Sequence, residues 1–388
     1  MTALKDASQK FMLCAAETSG DALGADLMRA LRESDPSIGF SGCGGDQMAA
    51  QGLDSLFDIE PLSVMGLVDA LKALPAARHR ANLLAHHAML TSPSAAVFID
   101  SWAFSAMAAK TMRQMSPKTR LIKYVAPQVW ASRPQRAKTA ARLFDGVMTL
   151  FDFEVAWFER EGLQAKAVGH PGFQRRLNEK HDGDAFRARH GLGASPLLIV
   201  APGSRRSEIA QLGPVFREAL DRLSEHAPPI NIAVSLAPGR EREVRAVFSG
   251  WPSKPAFIPA EERFEAFAAA DAGLAASGTV STELSISATP MAIAYRFDWL
   301  SALWVRSVAT TKYASLVNIA MDEEIIPEFI QDACEPGAIA DALLKILTNP
   351  QTASRQLNAF PAALQKLGAA GPPASEKAAQ TLLAWVQG

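Results

Sequence analysis

A chain of 388 residues is too long for one ordinary core, so about two domains are expected. It is 48% hydrophobic and 20% charged with a formal net charge of −1, a globular composition lacking the basic excess of a general nucleic-acid binder. Cys14, Cys43 and Cys334 lie at unrelated spacings in apolar or glycine-rich stretches and read as buried thiols, not as a disulfide frame or a zinc site.

The first apolar run, FMLCAA at 11–16, has the length of a strand and not of a signal segment. Nowhere does the chain approach the roughly 18 uninterrupted apolar residues of a membrane span. A cytoplasmic protein with at most peripheral membrane contact is expected. Short apolar runs then alternate with longer amphipathic ones, the pattern of a parallel sheet covered by helices on both faces. Strands are expected at 11–16, 38–40, 95–99, 121–125 and 146–150. A second series starts with LLIVA at 197 and continues at 230–236, 256–258, 273–276 and 291–294, so two Rossmann-like, doubly wound α/β domains in tandem are predicted. The boundary falls after VGHPGF at 168–173, giving domains 1–173 and 174–350, with helices over 351–388 returning to the first domain or crossing to a second subunit.

AETSGDALG at 16–24 ends the first strand. Thr18 or Ser19 reads as a helix cap and Asp21 as an acidic first turn; Glu17, ahead of the cap, is not explained that way. GCGGDQ at 42–47 has glycines at the wrong spacing for a dinucleotide fingerprint and no helix pattern after it. SVMGLVDALKAL at 63–74 lines up Val64, Leu67, Val68 and Leu71 on one helical face with Met65 at its margin, and Arg78, His79 and Arg80 follow. An apolar face beside basic residues suits an anionic membrane surface or an acylated phosphate, although a core-facing helix is the commoner cause of such a stripe.

VFIDSWAF at 97–104 brings Asp100 to the carboxyl end of a strand, where open α/β sheets bind ligands. APGSRRSEI at 201–209 joins a strand to a helix: Gly203 turns the backbone, the helix amides and Ser204 face an anion, and Arg205 adds a cation. The plainer reading is an ordinary turn. AASGTVSTE at 275–283 repeats the arrangement with Ser277, Gly278 and Thr279, and carries Glu283 on the same helix. Two such loops in one domain favour a diphosphate. Since the Walker spacing is absent, a nucleotide sugar fits better than ATP or NAD. HExxH, CxxC and GxSxG are absent as well, which leaves metallohydrolases, zinc modules and esterases without support.

Taken in order, AETSGD, GCGG, PLSVMG, YVAPQVWASR, FDFE, VGHP, PGSRRSE, ASGTVSTE and YASLVN resemble the motifs of the lipid-A-disaccharide synthase family over roughly residues 11–345. The resemblance implies a two-domain glycosyltransferase of the GT-B fold with a cleft between domains. It would work without metal or other cofactor, peripherally on the inner face of a Gram-negative inner membrane. It would transfer 2,3-diacylglucosamine from UDP to the 6-hydroxyl of 2,3-diacylglucosamine 1-phosphate, releasing UDP. A homodimer exchanging tail helices is one implied form. The resemblance also implies that Gly203, Ser204, Arg205, Ser277, Gly278 and Thr279 face the diphosphate, and that Glu283, Asn318 and Gln331 line the nucleotide pocket. Ser19, Asp21, Val64, Met65, Leu67, Val68, Arg78 and Arg80 are expected on the acceptor and membrane side.

One departure bears on the chemistry. In the family this strand continues Ile-Asp-Ala-Pro-Asp-Phe-Asn, and the second aspartate is the proposed base; here Ala103 holds its place, with Trp102 for the proline and Ser105 for the asparagine. The expected catalytic groups are therefore Asp100 or Glu17, with Arg205 at the leaving group. The rivals are a non-catalytic or altered-acceptor paralogue that binds UDP-sugar and lipid, and, by fold alone, a UDP-GlcNAc 2-epimerase-like enzyme.

Overall fold

The computed structural model describes residues 9–60, 67–130, 133–251, 254–276, 278–296 and 311–387, with side chains in the helix starting at 67 described from 74 onward. The chain divides into two compact units, 1–171 with 371–388, and 172–370.

The first unit carries β1 (Lys10–Ala15), β2 (Gly39–Cys43), β3 (Ala95–Ile99), β4 (Arg120–Tyr124), β5 (Gly146–Thr149) and β6 (Gln164–Ala167). They form one sheet in the order β2-β1-β3-β4-β5-β6, every pairing parallel. Its helices are α1 (Thr18–Ser34), α2 (Asp46–Ala50), α3 (Leu67–Thr91), α4 (Trp102–Met115), α5 (Gln135–Leu143) and α6 (Asp152–Glu159). Central strands such as β3 are buried on both faces, which is why they read as continuous apolar runs. The edge strand β6, QAKA, alternates between exposed and half-buried positions and carries no such signal. The GCGGDQ stretch does open a helix, the five-residue α2, contrary to the sequence expectation.

The second unit runs through α7 (Pro171–Asn178), α8 (Gly183–Arg189), β7 (Leu197–Ala201), α9 (Arg206–His226), β8 (Asn231–Ser235), α10 (Glu241–Val247), β9 (Ala256–Ile258), α11 (Arg263–Ala269), β10 (Ala272–Ala276), α12 (Thr279–Ile286), β11 (Met291–Tyr295), α13 (Leu316–Met321), β12 (Glu328–Ile330), α14 (Pro336–Thr348) and α15 (Pro350–Lys366). Its parallel sheet has the order β12-β11-β10-β7-β8-β9.

The terminal segment splits. The last helix, α16 (Ala374–Gln387), packs on α1, and its Ala378, Ala379, Leu382 and Trp385 join the first unit's core. By contrast α15 belongs to the second unit, because the buried Gln356 amide accepts from Met291 N at 2.8 Å and donates to Met291 O at 2.9 Å at the start of β11. No helix among the described residues is long and apolar enough to cross a membrane.

Candidate functional site

Both sheets reverse winding direction once, and ligands of open α/β sheets bind where that happens, beyond the carboxyl ends of the two diverging strands. In the first unit the reversal lies between β1 and β3, paired Ala15 to Ile99, so the turns at Glu17 and Asp100 emerge side by side. In the second it lies between β7 and β10, paired Ala201 to Ala275, which sets the 202–205 and 277–279 loops side by side.

At the first reversal, Ser19 does not cap its helix. Glu17 is the N-cap, with no side-chain cap bond, and the Ser19 hydroxyl instead donates to Asp100 Oδ2 at 2.6 Å. Asp100 sits on unusual backbone: it has φ 53°, Ser101 φ 32°, and Val125, at the end of the neighbouring strand β4, φ 66°. Three non-glycine residues in the left-handed region, one of them β-branched, are strained backbone, which gathers at functional sites. Beneath this turn lies Lys123, fully buried on β4, a residue the sequence reading missed. Its ammonium donates to Phe98 O at 3.2 Å, to Tyr124 O at 3.1 Å and to Asp100 O. Its pKa is lowered to about 7, burial outweighing the opposing pull of the Asp100 and Glu17 carboxylates. Ala103 is exposed in the first turn of α4 and brings no ionisable group to the site.

Two expectations of the acceptor side are corrected. Asp21 is buried, and its carboxylate accepts from the amides of Gly45 (2.7 Å), Gln47 (2.9 Å) and Met48 (3.1 Å), capping α2; its lone pairs serve the fold, not a ligand. Arg80 is half-buried, with its guanidinium 5.5 Å from the Phe57 ring centroid and Nη1 out of solvent, so it presents only part of its charge at the surface. Arg78 is exposed. Val64, Met65 and Ser277 lie outside the described residues, and Leu67 and Val68 are described only as helical backbone.

At the second reversal, Gly203 has φ 113°, and a Cβ there would come within 2.8 Å of Glu208 Oε2. That carboxylate accepts from the Ser204 and Arg205 amides at 3.0 and 3.2 Å, from Arg205 Nη1 at 2.8 Å and from the Tyr295 hydroxyl at 3.2 Å. The amides of Ser204 and Arg205 therefore point at Glu208 and not at an anion, a correction to the sequence reading. The next amides, at Arg206 and Ser207, have no partner inside α9, and the Arg205 side chain is 75% exposed against 9% for its partner Glu208. Gly278 (φ 150°, ψ −157°) adopts backbone essentially reserved for glycine and leads into α12, whose opening amides at Thr279 and Val280 have no partner inside the helix.

Further along α12, Glu283 pairs with Arg263 at 2.8 Å. Burial raises its pKa, while Arg263 and Arg176 oppose the rise. Asn318 is corrected as well: it is wholly buried, its amide donates to Ile326 O and Glu328 and accepts from Ile325 N and Ile326 N, so its four positions are spent tying α13 to β12. Gln331 lies beyond the edge strand β12 at φ 57°.

A family model described as Lipid-A-disaccharide synthetase matches residues 11–381. Lipid-A-disaccharide synthase of Paramagnetospirillum magneticum is 38% identical over 379 residues, covering 97% of each chain, and that of Rhodospirillum centenum is 37% identical over 374 residues, covering 96% of this chain and 93% of the relative. Among solved structures, UDP-GlcNAc 2-epimerase from Neisseria meningitidis bound to UDP-GlcNAc superposes with a TM-score of 0.59 at 11% identity, covering 97% of this chain and 100% of that one. At that identity the likeness concerns the two-sheet GT-B fold alone. The sequence matches do not favour an epimerase or a silent paralogue: the chain belongs to the lipid-A-disaccharide synthase family and is a glycosyltransferase of lipid A biosynthesis.

Proposed function

We propose that the chain transfers 2,3-diacylglucosamine from UDP to the 6-hydroxyl of 2,3-diacylglucosamine 1-phosphate, with Asp100 as the base. The acceptor oxygen attacks the anomeric carbon as the bond from that carbon to the diphosphate oxygen breaks. Its proton passes to the Asp100 carboxylate, and the electron pair of the broken bond leaves with UDP. A base within hydrogen-bond reach and fixed donors at the departing oxyanion are what this displacement needs.

The carrying observation is Asp100 itself, a carboxylate at the sheet reversal, on left-handed backbone and oriented by the Ser19 hydroxyl at 2.6 Å. Glu17 stands on the adjoining turn as a second carboxylate. Arg205 and the opening turns of α9 and α12 supply positive charge for the diphosphate without a metal. Docking of the first unit on the inner face of the membrane through the 64–68 segment is supported by the neighbouring helix α3, which exposes Arg78, Leu83, Met89 and Leu90.

The test is an assay of the purified chain with both acylated substrates. The reading expects disaccharide 1-phosphate and UDP in equal amounts, at a rate unchanged by a chelator. Absence of both products from intact substrates would overturn it.

A further inference from the structure

A lysine without exposed surface is rare unless it is paired, and Lys123 stands in the middle of an apolar strand. All its partners are backbone carbonyls at the ends of two adjacent strands: Phe98 and Asp100 on β3 and its turn, Tyr124 on β4. A neutral amine has two N–H donors and a lone pair, which would face the third carbonyl repulsively. Three carbonyl oxygens around one nitrogen therefore call for three donors, and the geometry is that of an ammonium ion. Burial opposes that charge, and the two carboxylates above it favour it.

What the ammonium holds is the strained part of the site. Asp100 and Ser101 are consecutive left-handed residues, Val125 is a third at the end of β4, and Tyr124 O is also the acceptor for Asp100 N at 2.9 Å. The Asp100 carbonyl takes a further bond from the buried Ser105 hydroxyl at 2.9 Å. Left-handed backbone at non-glycine residues persists only where its surroundings over-determine it. Among the described residues Lys123 is the one side chain that bonds both strand ends, and it leaves the Asp100 carboxylate to Ser19 and the crevice.

We propose that Lys123 is a positioning residue for the transfer reaction, a buried cation that clamps the ends of β3 and β4 and thereby holds the Asp100 carboxylate in its reactive place. The inference rests on Asp100 being the base, and it adds that Asp100 is productive only while its backbone is held. Lys123 touches no substrate. Its effect passes entirely through Asp100, so the two residues must be energetically coupled.

The experiment is a double-mutant cycle on kcat with Lys123→Met, Asp100→Ala and the double variant. Lys123→Gln, which keeps donors at that depth, serves as a milder second variant, and a thermal melt together with UDP binding shows that each protein is folded. Expected is a fall in kcat of roughly 10- to 100-fold for Lys123→Met with KM for the acceptor kept, a smaller fall for Lys123→Gln, and no further fall when Lys123→Met is added to Asp100→Ala. Full activity in folded Lys123→Met and Lys123→Gln overturns the inference while the base assignment stands. So does an equal, additive loss in the Asp100→Ala background, since it would mean that Lys123 acts elsewhere. Wild-type kcat in Asp100→Ala overturns the base assignment and the inference with it.

Discussion

The two sheet reversals are built from the same parts and carry opposite chemistry. Beyond β1 and β3 stand two carboxylates, Glu17 and Asp100, over one buried cation whose bonds all go to backbone. Beyond β7 and β10 lie two helix starts and an exposed arginine, with the carboxylate of Glu208 turned inward to hold its loop. A doubly wound sheet guarantees a crevice; the few residues after the diverging strands decide whether that crevice accepts a proton or an anion. For inverting transfer both kinds are required, one to activate the acceptor and one to receive the leaving group.

The largest effect should separate them. Asp100→Ala removes the proposed base and should lower kcat by about 10²- to 10⁴-fold while UDP affinity, measured by calorimetry, stays at the wild-type value. Asn318→Ala probes the opposite quadrant, a family-pocket position spent entirely on the fold: it strands four buried hydrogen-bond partners and should cost about 2–4 kcal/mol of unfolding free energy in a denaturant titration. Retained stability with lost UDP binding would instead make Asn318 a ligand contact. Arg205→Ala should weaken UDP binding by about 10- to 100-fold, the worth of a charged hydrogen bond to phosphate, and should leave the thermal midpoint nearly unchanged because the side chain is mostly exposed.

The smallest effect concerns Glu154 in the first unit. It accepts from Trp130 Nε1 at 2.9 Å and from the Leu150 and Phe151 amides at 3.1 Å each. Burial nevertheless lifts its pKa from 4.5 to about 7, against the pull of these donors. Between those values the folded protein keeps a proton that the unfolded chain has released, so this group makes stability fall as pH rises from 4.5 to 7. Melting midpoints across that window should fall more steeply in the wild type than in Glu154→Gln.

Much of the fold was legible because parallel strands covered on both faces must be apolar throughout, and ten strands announced themselves that way. Two of the four edge strands did not: β6 is QAKA and β12 is three residues long, and neither needs an apolar pattern. The split of the terminal helices between units follows from tertiary contacts, the packing of α15 on α12, α13 and α14 and the reach of Gln356 to the backbone of Met291, which no periodicity reveals. In the sites, the loops at Gly203 and Gly278 could be read because glycine and a helix start follow a strand in each. The particular jobs of Ser19, Asp21 and Glu208 could not. Each has several local partners open to it as a cap, and the partner chosen lies 81 positions away for Ser19, 24 for Gly45 bound to Asp21, and 4 for Ser204 bound to Glu208. Lys123 was hidden for another reason: LIKYV reads only as a strand, and the three converging carbonyls that give its lysine a task come from the fold.

The division of labour between the crevices is tested most directly on one preparation of Asp100→Ala, by titrating UDP in a calorimeter and then following disaccharide formation from the acylated substrates. The account predicts wild-type UDP affinity with product formation reduced at least about a hundredfold. Product formed at the wild-type rate, or UDP affinity lost together with the carboxylate, would contradict it.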